Sequence, residues 1–214
     1  KTADYESAFL IFIEVINKRI YYSLCINTSK EDAMKILAIS GSARKESTNT
    51  ALLRAMKDIA PSDIELTVFD HINNLPVFSP DNEGEKTPTV VEDFIKSVSD
   101  ADGIIISSPE YIRCIPGGLK NAIDWMVSRT EIIDIPIVLV HASSRGDDML
   151  VSLRRVLSTV SSNFFEDLFL RISLIGKSPE QISEMLQTEK YKSQITPFLL
   201  TFVSEIQKCR NELE

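Results

Sequence analysis

The sequence predicts an α/β domain in which five parallel strands form one sheet with helices on both faces. The first observation is that strand-length apolar runs alternate with helix-length amphipathic segments from Met34 onward. The second is that the strand runs are continuously apolar and rich in β-branched residues, which is typical of strands buried on both sides. With 214 residues, 43% of them hydrophobic, the chain is long enough for one such domain with a sizeable core.

Each strand is identified by its β-branched apolar run, and each helix by apolar residues spaced three or four apart. The strands are predicted at residues 35–39, 64–69, 103–107, 135–140 and 168–175. The helices between them are predicted at residues 50–59, 90–98, 119–127 and 149–160, with two more after Gly176, the last near residues 191–209. In the third helix, an apolar stripe predicts contact with the core through Leu119, Ala122, Ile123, Met126 and Val127.

Residues 1–33 precede the first predicted strand and are expected to form an N-terminal extension of the main domain, residues 34–214. The segment is largely apolar, but Glu14, Lys18 and Arg19 interrupt it. The uncharged run before Glu14 is far shorter than the roughly 20 residues of a membrane-spanning helix, and the segment does not match the pattern of a signal peptide. We expect an arm that packs on the domain or on a partner subunit, not a transmembrane anchor.

Charge and cysteine content limit the classes of partner. The formal net charge is −8 and the isoelectric point is near 4.9, so the sequence predicts no basic surface for nucleic acid or an anionic membrane. The three cysteines have no CxxC or metal-ligand spacing, which fits a reducing cytoplasm and predicts no metal site. We therefore expect a cytoplasmic protein that acts on small molecules.

The loop after the first strand, residues 40–50, combines hydroxyls, an amide and two basic residues with the start of a helix. In a parallel sheet, ligands bind beyond the carboxyl ends of the strands, and these groups predict an anion site there, with phosphate as the natural ligand. Neither GxGxxG nor GxxxxGK[ST] occurs, so the signals for Rossmann dinucleotide binding and P-loop nucleotide hydrolysis are absent. From this loop alone, an ordinary polar loop with a helix cap remains the alternative.

The loop after the third strand contains two prolines that stiffen a turn and two adjacent glycines, Gly117 and Gly118. The glycines remove side chains where a wide, flat group must approach the backbone, and Tyr111 offers a ring beside it. A third polar loop, residues 141–148, follows the fourth strand.

The first two loops together match a known pattern. GSARKESTNT, residues 41–50, and SPEYIRCIPGGLKNAIDW, residues 108–125, closely resemble the GSxRxxSxNT and SPEYxxxxPGxLKNAIDW motifs of the NADPH-dependent FMN reductases, which include quinone, azo-dye and chromate reductases. The resemblance covers residues 34–176. It implies a flavodoxin-like three-layer sandwich with strand order 2-1-3-4-5, FMN as cofactor, NADPH or NADH as electron donor, and a homodimer or dimer of dimers.

The resemblance implies three groups of cofactor-binding residues. The FMN phosphate would be held in the first loop by Ser42, Arg44, Ser47, Thr48, Asn49 and Thr50. The isoalloxazine would be bordered by Pro109, Glu110, Tyr111, Ile112 and Arg113. The pyrimidine end of the ring would face Ala142, Ser143, Ser144, Arg145 and Gly146. Residues 75–81 would form a rim loop. Ile112 departs from the family, in which Asn is common at this position.

The implied function is that of an enzyme, an NAD(P)H-dependent FMN reductase or quinone reductase. It would pass two electrons from a reduced nicotinamide through FMN to a quinone-like, azo, metal-oxyanion or free flavin acceptor. The cofactor would perform the redox chemistry, so no catalytic side chain is assigned. The alternative is a flavodoxin-type electron carrier with no substrate turnover of its own, which the long first loop disfavours.

Two other side chains and one helix have expected roles. His141 is expected to be a hydrogen-bonded structural histidine, and Cys114 a small buried side chain. The helix after Pro116 is expected to meet its mate in the dimer through an outer side that includes Lys120, Asp124 and Trp125.

Overall fold

A computed structural model describes residues 33–213 and contains the five parallel strands that the sequence predicts. They are β1 (Met34–Ser40), β2 (Ile64–Phe69), β3 (Gly103–Ser107), β4 (Ile137–His141) and β5 (Phe164–Arg171). Their order is β2-β1-β3-β4-β5 and every neighbouring pair is parallel, so the expected flavodoxin-like topology is confirmed. The predicted extension, residues 1–33, lies outside the described residues except for Ala33, and stays a prediction.

Six α-helices occupy the described residues. They are α1 (Thr48–Ile59), α2 (Thr89–Ser99), α3 (Gly117–Met126), α4 (Asp147–Val160), α5 (Pro179–Leu186) and α6 (Glu189–Leu213). Three short 3₁₀ helices, Ile72–Asn74, Pro80–Asn82 and Gly84–Lys86, lie between β2 and α2. The predicted helices are all present, with starts one to two residues earlier than the apolar pattern indicates. The first one or two residues of each helix precede its apolar stripe, and the pattern does not register them.

The sheet separates two apolar clusters, and alternate residues of each central strand belong to opposite clusters. Ile36 and Ala38 pack with α1, α5 and α6, while Leu37 and Ile39 pack with α2, α3 and α4. All residues of β3 and β4 are buried. Because these strands are covered on both sides, they have the continuous apolar character seen in the sequence.

The fifth strand begins earlier than predicted, at Phe164 instead of residue 168. Glu166 and Asp167 interrupt the apolar run, but β5 is an edge strand where these side chains are exposed. The second half of the predicted strand runs beside the loop after β4, where the Ile172 N–H donates to the His141 carbonyl at 2.9 Å. Exposure at an edge therefore conceals a strand from an apolar pattern.

Candidate functional site

Three loops leave the sheet side by side at its carboxyl edge. Ser40 at the end of β1 lies in register with Ser107 at the end of β3, and Ser107 lies in register with Val140 of β4. Neighbouring strands are about 4.8 Å apart, so the loops start within roughly 10 Å of one another. Since α1 and α3 cover opposite faces, the sheet's switch point lies between β1 and β3.

The loop after β1 is held by its own hydroxyl groups. The Ser40 and Thr50 hydroxyls are 2.8 Å apart, and Ser47 caps α1 by accepting the Thr50 N–H at 3.4 Å. The Ser107 hydroxyl donates to Asn49 Oδ1 at 2.9 Å. These bonds tie the start of α1 to both central strands. Two of the predicted phosphate ligands, Asn49 and Thr50, therefore also serve the fold.

The same loop retains donors for an anion. Ser42 is buried and accepts the Arg44 N–H at 3.2 Å, while the Arg44 side chain is exposed and Thr48 is half-buried. The first turn of α1 has no acidic residue, so no side chain of that turn compensates the positive end of the helix dipole. Gly41 is required, since a Cβ there would lie 2.7 Å from Ser108 Oγ. Hydroxyls, a guanidinium and a helix N-terminus fit the phosphate of FMN.

The loop after β3 turns in a tight hairpin. The Tyr111 N–H donates to the Cys114 carbonyl at 3.2 Å, and the Cys114 N–H donates back at 3.0 Å. Between them, Ile112 and Arg113 have φ of 50° and 59°, the signature of a type I′ turn. A non-glycine residue in the left-handed region of φ and ψ costs on the order of 1–3 kcal/mol of backbone strain. The hairpin also places Cys114 in solvent, so the prediction of a buried cysteine is wrong.

Glu110 connects the second loop to the third. Its Oε2 accepts the N–H of Met149, in the first turn of α4, at 3.0 Å, and Pro109 beside it is half-buried. The residue before α4 is Gly146, which has no side chain to cap the helix. Glu110 supplies this cap from another loop, and its charge is favourable at a helix N-terminus. Its carboxylate thus holds the two predicted ring-bordering loops together.

The loop after β4 is fixed by a buried histidine. His141 is 1% exposed, and its Nε2 donates to the Arg145 carbonyl. Gly146 has φ of 100°, and a Cβ there would lie 2.9 Å from His141 Nε2. The Arg145 N–H donates to Ser143 Oγ at 3.0 Å. Ala142 is buried, whereas the side chains of Ser144 and Arg145 are exposed.

His141 fulfils the expectation of a hydrogen-bonded structural histidine, with one unusual feature. Its Nδ1 is buried and has no hydrogen-bond partner. Burial lowers the pKa of His141, and the nearby Arg171 guanidinium lowers it further, while the carbonyl of Arg145, the backbone of Ser108 and the carboxylate of Asp147 oppose the shift. The neutral ring is therefore the stable form in the fold.

The predicted rim loop is attached to α3 by two side chains. Asn121 accepts the Phe78 N–H at 2.8 Å and donates to the Pro76 carbonyl at 2.9 Å. Trp125 Nε1 donates to the same carbonyl at 2.7 Å, and its ring meets Phe78 edge-on with centroids 5.1 Å apart. Val77, at the tip of this loop, is left exposed.

The expectation that Trp125 lies on the outer side of its helix is wrong, because the residue is 1% exposed. Its ring fills the space under the rim loop, where its N–H finds an acceptor. Lys120 is exposed and Asp124 half-buried, and they form an ion pair one turn apart on α3. The outer side of α3 is therefore polar where the sequence predicted an aromatic residue.

Residues 33–213 offer neither a membrane span nor a metal site. None of the helices described there is both long and apolar enough to cross a membrane. No cluster of three or more histidine, cysteine, aspartate or glutamate side chains in that range is arranged to hold a metal ion.

A known protein family matches the part of the chain that contains this site. The family model described as NADPH-dependent FMN reductase matches residues 34–171. This chain belongs to the NADPH-dependent FMN reductases. The match includes all five strands and the three loops of the site. The family resemblance noted in the loop motifs is thereby confirmed.

Individual relatives of this chain are named as quinone reductases. Quinone reductase from Escherichia coli strain K12 is 35% identical over 120 residues, which are 54% of this chain and 62% of that protein. 2-Hydroxy-1,4-benzoquinone reductase from Burkholderia sp is 43% identical over 93 residues, 44% of this chain and 50% of that protein. The chain thus matches less than two thirds of the length of each of these relatives.

A solved structure supports the fold independently. The flavoenzyme NAD(P)H:(acceptor) oxidoreductase FerB from Paracoccus denitrificans superposes with a TM-score of 0.64 at 22% sequence identity. The superposition covers 82% of this chain and 98% of that chain. At this level of identity, the likeness shows the shared architecture.

Sequence reasoning missed Ser107 and the helix-capping role of Glu110, and each leaves a signal in the sequence. Ser107 ends the apolar run GIIIS with a hydroxyl, which is unusual for the last residue of a buried strand. Gly146, the residue before α4, has no side chain to cap the helix, which leaves this role open to a residue of another loop. The sequence names Glu110 as a ring neighbour but does not reveal that it is this cap.

Proposed function

We propose that this protein is an NAD(P)H-dependent quinone reductase that binds FMN across the three loops at the switch point. One arrangement carries the proposal. The N-terminus of α1, which suits an anion, lies at the same edge of the sheet as two loops that Glu110 joins by accepting the Met149 N–H. When bound, FMN supplies the two-electron chemistry between the nicotinamide and the acceptor. The overall reaction consumes NADPH, one proton and a quinone, and yields NADP⁺ and a hydroquinone.

Each loop has a distinct task in this proposal. The first holds the phosphate through Ser42, Arg44, Ser47, Thr48 and Asn49, with Thr50 maintaining the loop from within. Backbone groups of residues 109–113 and 142–146 border the ring. Gly117 gives clearance for a stacked ligand, since a Cβ added there would meet nothing within 4 Å. These residues bind and orient, and none transfers a proton in the proposal.

A quinone is the preferred acceptor because two relatives are named for quinone reduction. Azo compounds, metal oxyanions and free flavin remain acceptors to be compared with it in the same assay. The proposal also includes a homodimer, for which light scattering at micromolar concentration is the check.

The visible absorption spectrum of the purified protein tests the proposal directly. Flavin bands are expected, and NADPH added without oxygen is expected to remove them until a quinone restores them. A flavodoxin-type carrier would retain its absorption in the presence of NADPH or NADH and change only with a chemical reductant. That result would replace the reductase proposal with the carrier.

Replacing Arg44 tests the phosphate assignment. Loss of charge-assisted hydrogen bonds costs about 1.5–3 kcal/mol, so Arg44→Ala is expected to weaken FMN binding by roughly ten- to a hundredfold. The dissociation constant is measured by fluorescence titration of the apoprotein. Arg155→Ala, at an exposed position on α4, removes the same charge away from the site and is the matched control. Equal FMN affinities in the two variants would contradict the assignment.

A further inference from the structure

The turn at Ile112 and Arg113 lacks the residues that its geometry favours. Type I′ turns prefer Asn-Gly, because both central residues have positive φ. Ile112 instead places a β-branched side chain at φ 50°, where such residues are outliers. The position is thus filled by a residue that opposes the local backbone conformation.

Contacts within the described residues do not offset this strain. The Ile112 side chain is 100% exposed, so it buries no apolar area. Arg113 approaches Asp148 with an N–O distance of 3.6 Å, but both side chains are largely exposed and such pairs contribute little. The turn is imposed by its surroundings, through the hairpin bonds of Tyr111 and the attachment of Glu110 to α4.

The location of the strained turn indicates what the side chain gains. Left-handed non-glycine residues persist mainly where they serve a function, and this one follows β3 at the switch point. An exposed branched aliphatic group gains free energy when another apolar surface removes it from water. Tyr111, the preceding residue, is 49% exposed and extends the apolar surface.

We infer that Ile112 is a specificity-determining residue whose side chain contacts the apolar ring of the electron acceptor. The inference rests on the proposed quinone reductase function. A methyl-substituted naphthoquinone such as menadione presents an apolar ring to this contact, whereas a hydrated anion such as ferricyanide does not. Ile112 therefore favours apolar over hydrophilic acceptors at the same site.

The test compares the FMN-loaded wild type with Ile112→Asn and Ile112→Leu, using NADPH as donor and menadione or ferricyanide as acceptor. Ile112→Asn is expected to raise the ratio of the menadione KM to the ferricyanide KM about tenfold, because it removes the apolar contact. Ile112→Leu keeps an apolar side chain of equal volume and is expected to hold that ratio within about twofold of the wild-type ratio.

Stability gives a second readout that is independent of turnover. Ile112→Asn is expected to raise Tm by roughly 2–4 °C or more, since Asn tolerates the left-handed region. The matched control is Ile133→Asn, an exposed isoleucine before β4 at the opposite end of the sheet, where φ is not positive. It is expected to raise neither Tm nor the ratio of the two KM values.

Three results would overturn the inference. The first is a higher Tm for Ile112→Asn with an unchanged KM ratio. The second is an increase in the KM for NADPH alone, which would assign the contact to the donor. The third is a lower molar mass by light scattering with an unchanged ratio, which would assign the side chain to a subunit interface. A wild type without flavin absorption would instead contradict the proposed function, and the inference with it.

Discussion

At the scale of single residues, the most unusual group in the site is His141. Its Nε2 is bonded to the Arg145 carbonyl while its Nδ1 is buried without a partner. Since a carbonyl only accepts, Nε2 must carry the proton and Nδ1 must be the bare nitrogen of the neutral ring. Protonation at Nδ1 would place a charge inside the loop on which the pyrimidine end of the flavin is proposed to rest.

The lowered pKa of His141 makes stability depend on pH in a defined window. The unfolded chain binds a proton near the ordinary pKa of 6.5, while the folded chain resists it. The stabilisation is therefore fully present above about pH 6.5 and is lost as the pH falls toward the folded pKa. His141→Gln, which can still donate to Arg145, is expected to show a smaller fall in Tm between pH 7.5 and 5.5 than the wild type.

Thermal unfolding at several pH values is the measurement, and a parallel pH dependence in both proteins would contradict the prediction. Asp147, which lies near His141, also has a shifted pKa, but it titrates at a more acidic pH. The Arg171 guanidinium lowers the pKa of Asp147 from 3.8, so the stability from that pair is present above 3.8 and is lost in more acidic solution.

The sequence predicts the role of a residue in this site only where neighbouring residues in the chain determine that role. The polar loop at residues 40–50 predicts an anion site from residue types alone, but the same hydroxyls also cap α1 and bond within the loop, so the anion site stays a prediction. The expectation for Trp125 is wrong because its burial depends on the rim loop, which is distant in sequence. The expectation for Cys114 is wrong because its exposure depends on a turn with two positive φ angles, which the residue types there do not indicate.

At the scale of elements, the helix α4 depends on a cap from another loop. Glu110 accepts the Met149 N–H at 3.0 Å, and Asp147 and Asp148 add further negative charge to the first turn. One bond therefore stabilises a helix and also fixes the relative position of two loops. In strand β5, exposed charged residues on the edge of the sheet interrupt the apolar pattern, so the first four residues of the strand were not predicted.

Glu110→Ala is expected to lower the free energy of unfolding by about 0.5–2 kcal/mol through loss of the cap. Glu110→Gln keeps an oxygen acceptor and is expected to lose less, retaining the bond but not the charge. Urea denaturation measures both changes, and hydrogen exchange at the Met149 amide reports the bond itself. An amide equally protected in the Ala variant would show that the cap is not formed in solution.

At the scale of the whole molecule, α6 packs closely on the sheet at Gly103, the first residue of β3. A Cβ there would lie 2.6 Å from Ile206 Cδ1 and 2.8 Å from Phe202 Cζ, both on α6. The alternation of strands and helices predicted the layers, and the loop motifs implied the strand order. Neither could indicate how closely α6 packs on β3, since that distance depends on side chains from both layers.

Gly103→Ala is expected to destabilise the protein by about 1–3 kcal/mol because the added methyl overpacks this contact. Each kcal/mol lowers Tm by roughly 2–4 °C in a domain of this size. Gly117→Ala is the matched comparison, since its Cβ would meet nothing within 4 Å and α3 gains a better helix former. If calorimetry gave the two variants the same Tm, the close packing of α6 on β3 would be contradicted.

The strictly parallel order of the strands also governs how the chain reaches its native state. Parallel neighbours are joined by crossovers, and the pairing of β1 with β3 closes a loop over residues 41–102. The entropy of closing such a loop is lost before strand pairing contributes any stabilisation, so folding is expected to be slow compared with that of a helical bundle. During that interval β1 presents an apolar, unpaired edge, so refolding yield should fall as protein concentration rises, while the native protein is unaffected.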